Sequence, residues 1–119
     1  MKRMHALSSA ERLKRKTDFD RVCKQGRAHK TKELLILSLP NETPCSRLGM
    51  VVGRRLGSAP IRSRMKRLIR EGFRLNKHLL ASGHDFVVIP RQDWTDLRLG
   101  AIEAHFRRVF EGLCASPER

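Results

Sequence analysis

The chain has 119 residues, 39% of them hydrophobic, with 26 Lys+Arg against 12 Asp+Glu and a formal net charge of +14. That length suits one compact domain over 1–119 and is too short for two. A chain this basic calls for a polyanionic partner, nucleic acid first and an anionic membrane surface second.

Several classes fall away. No apolar run reaches the ~18 residues that a bilayer span needs, so no membrane-spanning role is expected. Residues 1–10 lack the apolar centre of a secretory signal, and the basic first thirty residues also carry Glu11, Asp18 and Asp20, which disfavours a mitochondrial presequence. Cys23, Cys45 and Cys114 are an odd number, far apart and without C-x-x-C spacing, so they support neither a disulfide framework nor a zinc site. The five histidines fall at no metal-ligand spacing either. A reduced, cytoplasmic protein is expected.

The charge is unevenly spread. Residues 2–32 carry a net +8, 33–46 a net −2, 47–78 a net +9, and 79–119 a net −1. Two basic blocks flank an apolar stretch, as a charged face on a folded domain would require.

In chain order, residues 1–16 are polar without sustained periodicity and read as a flexible or loosely docked arm. Thr17 and Asp18 open a short helix that runs to Gln25, with Phe19 and Val22 inward, Cys23 beside them, and Gly26 as C-cap. Residues 34–39 form a continuous apolar run ended by Pro40, a buried strand. Leu48, Met50 and Val52 alternate with smaller residues as a second strand. The turn-like segment 41–46 between them predicts a hairpin. A long helix follows, with Ser58 as N-cap, Pro60 in its first turn and Gly83 after its end. At about 100° per residue, Ile61, Met65, Leu68, Ile69, Leu75 and Leu79 gather on one side. Arg62, Lys66, Arg67, Arg70, Arg74 and Lys77 gather on the other, with Arg64 on the flank. Residues 86–89 are another apolar strand, and the last helix covers 99–113, with Ile102, Phe106, Val109, Phe110 and Leu113 on its core face. A frayed tail covers 114–119. The order is α-β-β-α-β-α with room for an extra short strand: an α+β fold, a small sheet of about four strands packed with three helices.

The basic helix carries the functional reading. Arg62, Lys66, Arg70 and Arg74 stack three like-charge i,i+4 pairs, each costing roughly 0.2–0.5 kcal/mol in isolation, with Glu71 as the local relief. Arg62 and Arg64 also sit in the first turns, where the macrodipole disfavours cations. A solvated face normally mixes both signs. A one-signed face beside a helix N-terminus fits RNA or DNA phosphates. Arg54 and Arg55, between Gly53 and Gly57, extend it into a basic corner. Catalysis by the chain itself finds little support: no paired carboxylates suit a two-metal nuclease, and His84-Asp85 reads as a loop detail. Aromatics are 5% with no Tyr, which argues against a platform that stacks several bases.

The order Gly53-Arg54-Arg55-Leu56-Gly57-Ser58-Ala59-Pro60-Ile61-Arg62-Ser63-Arg64-Met65-Lys66-Arg67-Leu68-Ile69-Arg70-Glu71 closely resembles the signature of the bacterial ribonuclease P protein family. Arg12-Leu13-Lys14 with Asp18-Phe19 is similar to that family's start, Arg47-Leu48-Gly49 to its second strand, and residues 85–89 to its last. The resemblance implies a left-handed βαβ crossover holding the basic helix, against the usual hand. It implies a partner, the catalytic RNA of ribonuclease P, with one protein per RNA. Its substrate is precursor tRNA, whose 5′ leader the RNA removes with Mg²⁺. Carried over residue by residue, Arg62, Ser63, Arg64, Lys66, Arg67, Arg70 and Arg74 would face the catalytic RNA, supported by Arg54 and Arg55. Arg12, Phe19, Cys23 and Leu37 would line the leader cleft. No catalytic residue lies in the protein, and the resemblance fixes no metal ligand on it. Ser63 stands where the family has Asn, and Cys23 and Leu37 where it often has aromatics. Leader binding would then rest on phosphates and apolar contact more than on stacking, which is worth roughly 1–3 kcal/mol per base. The competing readings are a ribosomal-type protein on structured rRNA, a basic-helix DNA regulator, and a self-sufficient nuclease.

Overall fold

Apolar spacing decides where each element forms, and register decides which side it faces. The computed structural model describes residues 7–91 and 98–115, with helices α1 (Lys16–Gln25), α2 (Ala59–Asn76) and α3 (Leu99–Ala115) and strands β1 (Arg27–Lys30), β2 (Leu34–Pro40), β3 (Arg47–Met50) and β4 (His84–Pro90). Short 3₁₀ turns lie at Ser9–Glu11, Arg54–Leu56 and Lys77–Leu79. Residues 1–6 of the expected arm and 116–119 of the expected tail lie outside the described residues. α3 runs through Ala115, two residues past its expected end.

The four strands form one mixed sheet in the order β1-β2-β4-β3, with β2 antiparallel to β1 and β4, and β3 parallel to β4. The expected β2–β3 hairpin does not form, because β4 lies between them. β4 is buried along almost its whole length and takes the central place that its apolar run requires. α2 is therefore the arm of the parallel β3–α2–β4 crossover, as a parallel pair demands a long connection. β1 is the extra short strand, and its burial is too slight to give an apolar signal.

Strand alternation splits the core into two layers. On one side Leu34, Ile36, Leu48, Phe86 and Val88 meet Met65, Ile69 and Phe73 of α2 and Ile102, Phe106 and Phe110 of α3. Phe86 and Phe110 have ring centroids 4.9 Å apart, and Phe73 lies 6.1 Å from each of them. Such pairs add about 0.5–1.5 kcal/mol each beyond burial. On the other side Leu13, Val22, Leu37 and Val87 form a smaller cluster beneath α1.

Four local readings change. Gly26 does not end α1 in a left-handed turn; its φ is −73°. It is glycine because a Cβ there would lie 2.4 Å from the Val22 carbonyl oxygen and 3.0 Å from that of Ser38, where β1 leaves the helix. Ile61, placed on the core face by periodicity, is exposed, because its side chain packs over Gly57 in the loop before the helix. Leu79 belongs to the 3₁₀ turn that follows α2. The segment 7–15 is tied down. Leu7 and Leu13 are buried, Arg12 bridges Leu48 in parallel, and the Leu13 N–H donates to the Leu48 carbonyl at 3.0 Å. Glu11 accepts from the Ser8 N–H at 3.0 Å and pairs with Lys77.

Candidate nucleic-acid interface

The start of α2 is set by its loop. Gly57 has φ +151°, a conformation that side chains rarely adopt, and a Cβ there would also meet Ile61 at 2.8 Å. Ser58 occupies the N-cap position with extended backbone, but its hydroxyl makes no cap hydrogen bond. The Arg62 N–H donates to the Ser58 carbonyl at 2.9 Å and Arg62 Nε to the Gly57 carbonyl at 3.1 Å, so an arginine fastens the turn instead. Arg54 and Arg55 are exposed in the 3₁₀ turn just before it.

Along α2, Met65, Ile69 and Phe73 are buried, whereas Ser63, Lys66 and Arg67 are exposed and Arg62, Arg64, Arg70 and Arg74 are half-buried. These cations do not share one fate. Arg74 is bound through two nitrogens to the nearly buried Glu71, at 3.2 and 2.7 Å. Lys66, Arg67 and Arg70 form no ion pair among the described residues. Burial, then the charges of Arg12 and Arg67, lower the pKa of Arg70 from its ordinary value. Like charges gathered in this way attract an anion.

Arg12 lies near enough to Arg70 for their charges to interact, and it also lines a groove that runs to α1. Arg12, Lys14, Arg15 and Arg47, with the single acid Asp18 of α1, line this groove of about 490 Å³. Sequence reasoning passed over Lys14 and Arg15. The available signal was the pattern Arg12-Leu13-Lys14-Arg15, a buried Leu13 among exposed cations.

The second site lies under α1. The Phe19 ring covers Gly49, where a Cβ would stand 2.6 Å from it. Leu37 is buried against Val22, Leu13 and Val87. Cys23 is exposed on α1, not beside Phe19 and Val22 in the apolar cluster. Helix geometry explains this: at 16–25 the inward stripe follows Phe19 and Val22, and residue 23 lies a further 100° round. α1 covers only part of the sheet. Leu35 pairs with Ile89, both half-buried, Val51 beyond β3 is 45% exposed, and Lys30 stands opposite Leu35 on β1. This open row was not among the sequence candidates, because half-exposed strand residues look the same as buried ones in an apolar run.

A buried ionic cluster holds α1 over the sheet. Asp85 is fully buried and accepts from Arg47 Nε at 2.8 Å and Nη2 at 2.6 Å, from Asn41 Nδ2 at 2.8 Å and from Arg21 Nη2 at 3.2 Å. Asp18 lies 3.5 Å from both arginines. Burial pushes the Asp85 carboxyl up, but the bonds from Arg47 and Asn41 and the two guanidinium charges outweigh it and hold its pKa below the usual range. The sequence neighbours His84-Asp85 thus serve packing and ion pairing: His84 stacks on Phe86 with centroids 5.8 Å apart.

Two sites of opposite character therefore share one scaffold, a one-signed helix face and a half-open apolar cleft joined by a basic groove. The family model described as Ribonuclease P matches residues 7–114. The chain belongs to the ribonuclease P protein family. The ribonuclease P protein component of Pelotomaculum thermopropionicum is 38% identical over 99 residues, covering 83% of this chain and 88% of that protein. That of Thermotoga maritima is 42% identical over 82 residues, covering 69% and 70%. The solved RNase P protein structure from T. maritima matches with TM-score 0.76 at 32% identity, over 86% of this chain and 96% of that one. A Staphylococcus aureus RNase P protein matches with TM-score 0.74 at 31% identity, over 87% and 94%. The ribonuclease P family thus accounts for the architecture, the mixed four-stranded sheet with three helices included. Among the described residues no helix is long and apolar enough to cross a membrane, and no group of three or more His, Cys, Asp or Glu could hold a metal ion.

Proposed function

We propose that this chain is the protein subunit of a ribonuclease P, one copy per catalytic RNA, acting in the cytoplasm. The α2 face binds the RNA subunit through Arg62, Arg64, Lys66, Arg67 and Arg70, with Ser63 between them and Arg54 and Arg55 at its start. Arg74 contributes less, since Glu71 already holds it. The cleft between α1 and the sheet takes the single-stranded 5′ leader of precursor tRNA, with Phe19, Leu37 and the open row Leu35, Ile89 and Val51 as its apolar wall. Cys23 lies on its exposed rim. Arg12 joins the two sites.

The observation that carries this reading is the cluster of Arg12, Arg67 and Arg70, cations from the N-terminal segment and α2 brought together. Each phosphate neutralised there releases counterions and strengthens binding at low salt. The cleavage is Mg²⁺-dependent, with the metal and the chemistry on the RNA. The chain's own residues bind and orient: they screen phosphate repulsion and hold the leader next to the RNA. Because Cys23 and Leu37 replace stacking aromatics, apolar contact and phosphate pairing bear the leader.

The test is precursor tRNA cleavage at low Mg²⁺ with a bacterial ribonuclease P RNA alone, this protein alone, and both. Correct mature 5′ ends only in the mixture are expected. Tight RNA binding without stimulation would favour the ribosomal-type reading, and cleavage by the protein alone would overturn the division of labour.

A further inference from the structure

At the sheet edge opposite β3, a cavity of about 230 Å³ opens between β1 and α3. None of the roles above uses it. Leu34 and Ile36 of β2 and Val109 of α3 make an apolar floor, while Arg27 of β1 and Arg108 of α3 bring two cations; Lys30 lines the strand end, its side chain on the other face with Leu35. None of its ten lining residues is acidic. The wall is rigid: Thr31 Oγ1 donates to the Leu34 carbonyl and accepts from its N–H, both at 3.1 Å, and Arg91 Nη1 donates to the Thr31 carbonyl at 2.7 Å. His29 Nε2 is taken by Ser38 Oγ at 3.1 Å.

His105 is the exception. Its Nε2 lies 3.4 Å from a Glu33 carboxylate oxygen, yet its Nδ1 is the one buried side-chain nitrogen or oxygen among the described residues without a hydrogen-bond partner. Buried polar atoms rarely stay unpaired unless a ligand or water completes them. At Gly112 a Cβ would meet nothing within 4 Å, so the mouth is open on that side.

An inorganic anion would leave the apolar floor uncovered, and an apolar ligand would leave two cations facing it. A flat ring carrying an anion satisfies both. The volume is below the ~300–1,000 Å³ of ordinary small-molecule sites, which limits the occupant to about one ring. We propose that this cavity is a nucleotide subsite. A nucleobase packs on Leu34, Ile36 and Val109 beside His105, and its phosphate meets Arg27 and Arg108. A free mononucleotide and one residue of a single-stranded RNA offer the same chemistry. The proposal goes beyond the ribonuclease P reading and does not depend on the α2 face or the leader cleft.

The experiment is an NMR titration of the ¹⁵N-labelled full chain with AMP, inorganic phosphate and a 5′-phosphorylated trinucleotide, without any ribonuclease P RNA. Saturable amide shifts at His29, Thr31, Leu34 and Gly112 are expected with AMP at millimolar concentration. Binding should weaken at least tenfold in Gly112→Phe, which plugs the mouth and replaces a weak helix former, and in the exposed Arg108→Ala. Melting curves of both variants check that they fold. A trinucleotide more than tenfold tighter than AMP would assign the site to an RNA strand, and equal affinity to a free nucleotide; both support the subsite. Shifts confined to Lys66, Arg67 and their neighbours, phosphate as effective as AMP, or binding undiminished in Gly112→Phe would each overturn it.

Discussion

Arg21 and Arg47 on one side of this protein, and Lys66, Arg67 and Arg70 on the other, are similar side chains set against different neighbours. The first two converge on the fully buried Asp85, with Asp18 beside them, and fasten α1 to the sheet. The others lie along α2 with Arg12 alongside and form no ion pair among the described residues. One set of charges is satisfied within the fold, so its removal costs stability. The other set is held apart from carboxylates, so its removal costs binding. Net charge alone does not separate them, because both sets count equally towards +14.

Substitutions can break this contrast, and the largest effect belongs to the structural cluster. Asp85→Asn leaves two guanidiniums without their buried partner and should destabilise by about 3 kcal/mol, the low end for breaking a buried pair because the arginines reach solvent. Denaturant unfolding measures it. The same carboxyl sets an acid limb. Its folded pKa lies below the unfolded value of about 3.9, so its stabilisation is complete above that pH and is lost as pH falls through the folded pKa. Glu11 shifts the same way: burial raises it, but its bonds to Lys77 and Ser8 prevail. Asp85→Asn should flatten most of the wild-type loss below about pH 4.

Next comes Gly49→Ala. Its Cβ would collide with the Phe19 ring, costing about 1–3 kcal/mol as overpacking does. Leader affinity should fall with it, while affinity for the RNA subunit stays unchanged. Equal loss of both would mean that the two sites are not separable.

Within α2 the contrast sharpens further. Lys66→Ala should leave stability within about 0.5 kcal/mol and lower the salt slope of RNA binding by about 1. Arg74→Ala should cost about 1 kcal/mol by removing its two bonds to Glu71, with a smaller change in slope. Identical slopes would show that the Glu71 pair does not withhold Arg74 from RNA. The smallest effect concerns His29, whose pKa is lowered by burial and then by Arg27. Below about pH 6.5 the unfolded chain takes up the proton first, so stability should decline as pH drops towards the folded pKa. His29→Gln should remove that slope in pH-dependent melting.

The parts of the fold legible in sequence were those with strong local signals. The run at 34–39, the inward residues Met65, Leu68 and Ile69, and the stripe Ile102, Phe106 and Phe110 all formed as spacing and turn residues predict, whereas the buried Phe73 was missed. β1 was not legible, since Arg27–Lys30 is polar and earns its strand status from pairing with β2. The β2–β3 hairpin was a reasonable local inference that failed on a non-local fact: β4, arriving more than thirty residues later, takes the place between them. At the site, periodicity grouped the α2 cations but could not tell Arg74 from Lys66. That difference depends on whether Glu71 points towards one or the other.

By itself, then, the sequence determined the element types, the one-signed helix face and, through residues 53–71, the family resemblance. Each of these depends on spacing within a single segment. Only the tertiary structure decided the strand order, the pairing of Arg21 and Arg47 with the buried Asp85, the approach of Arg12 to Arg70, and the open apolar row at Leu35, Ile89 and Val51. Those depend on which distant segments meet, and charge pairing and burial are properties of the meeting, not of either segment.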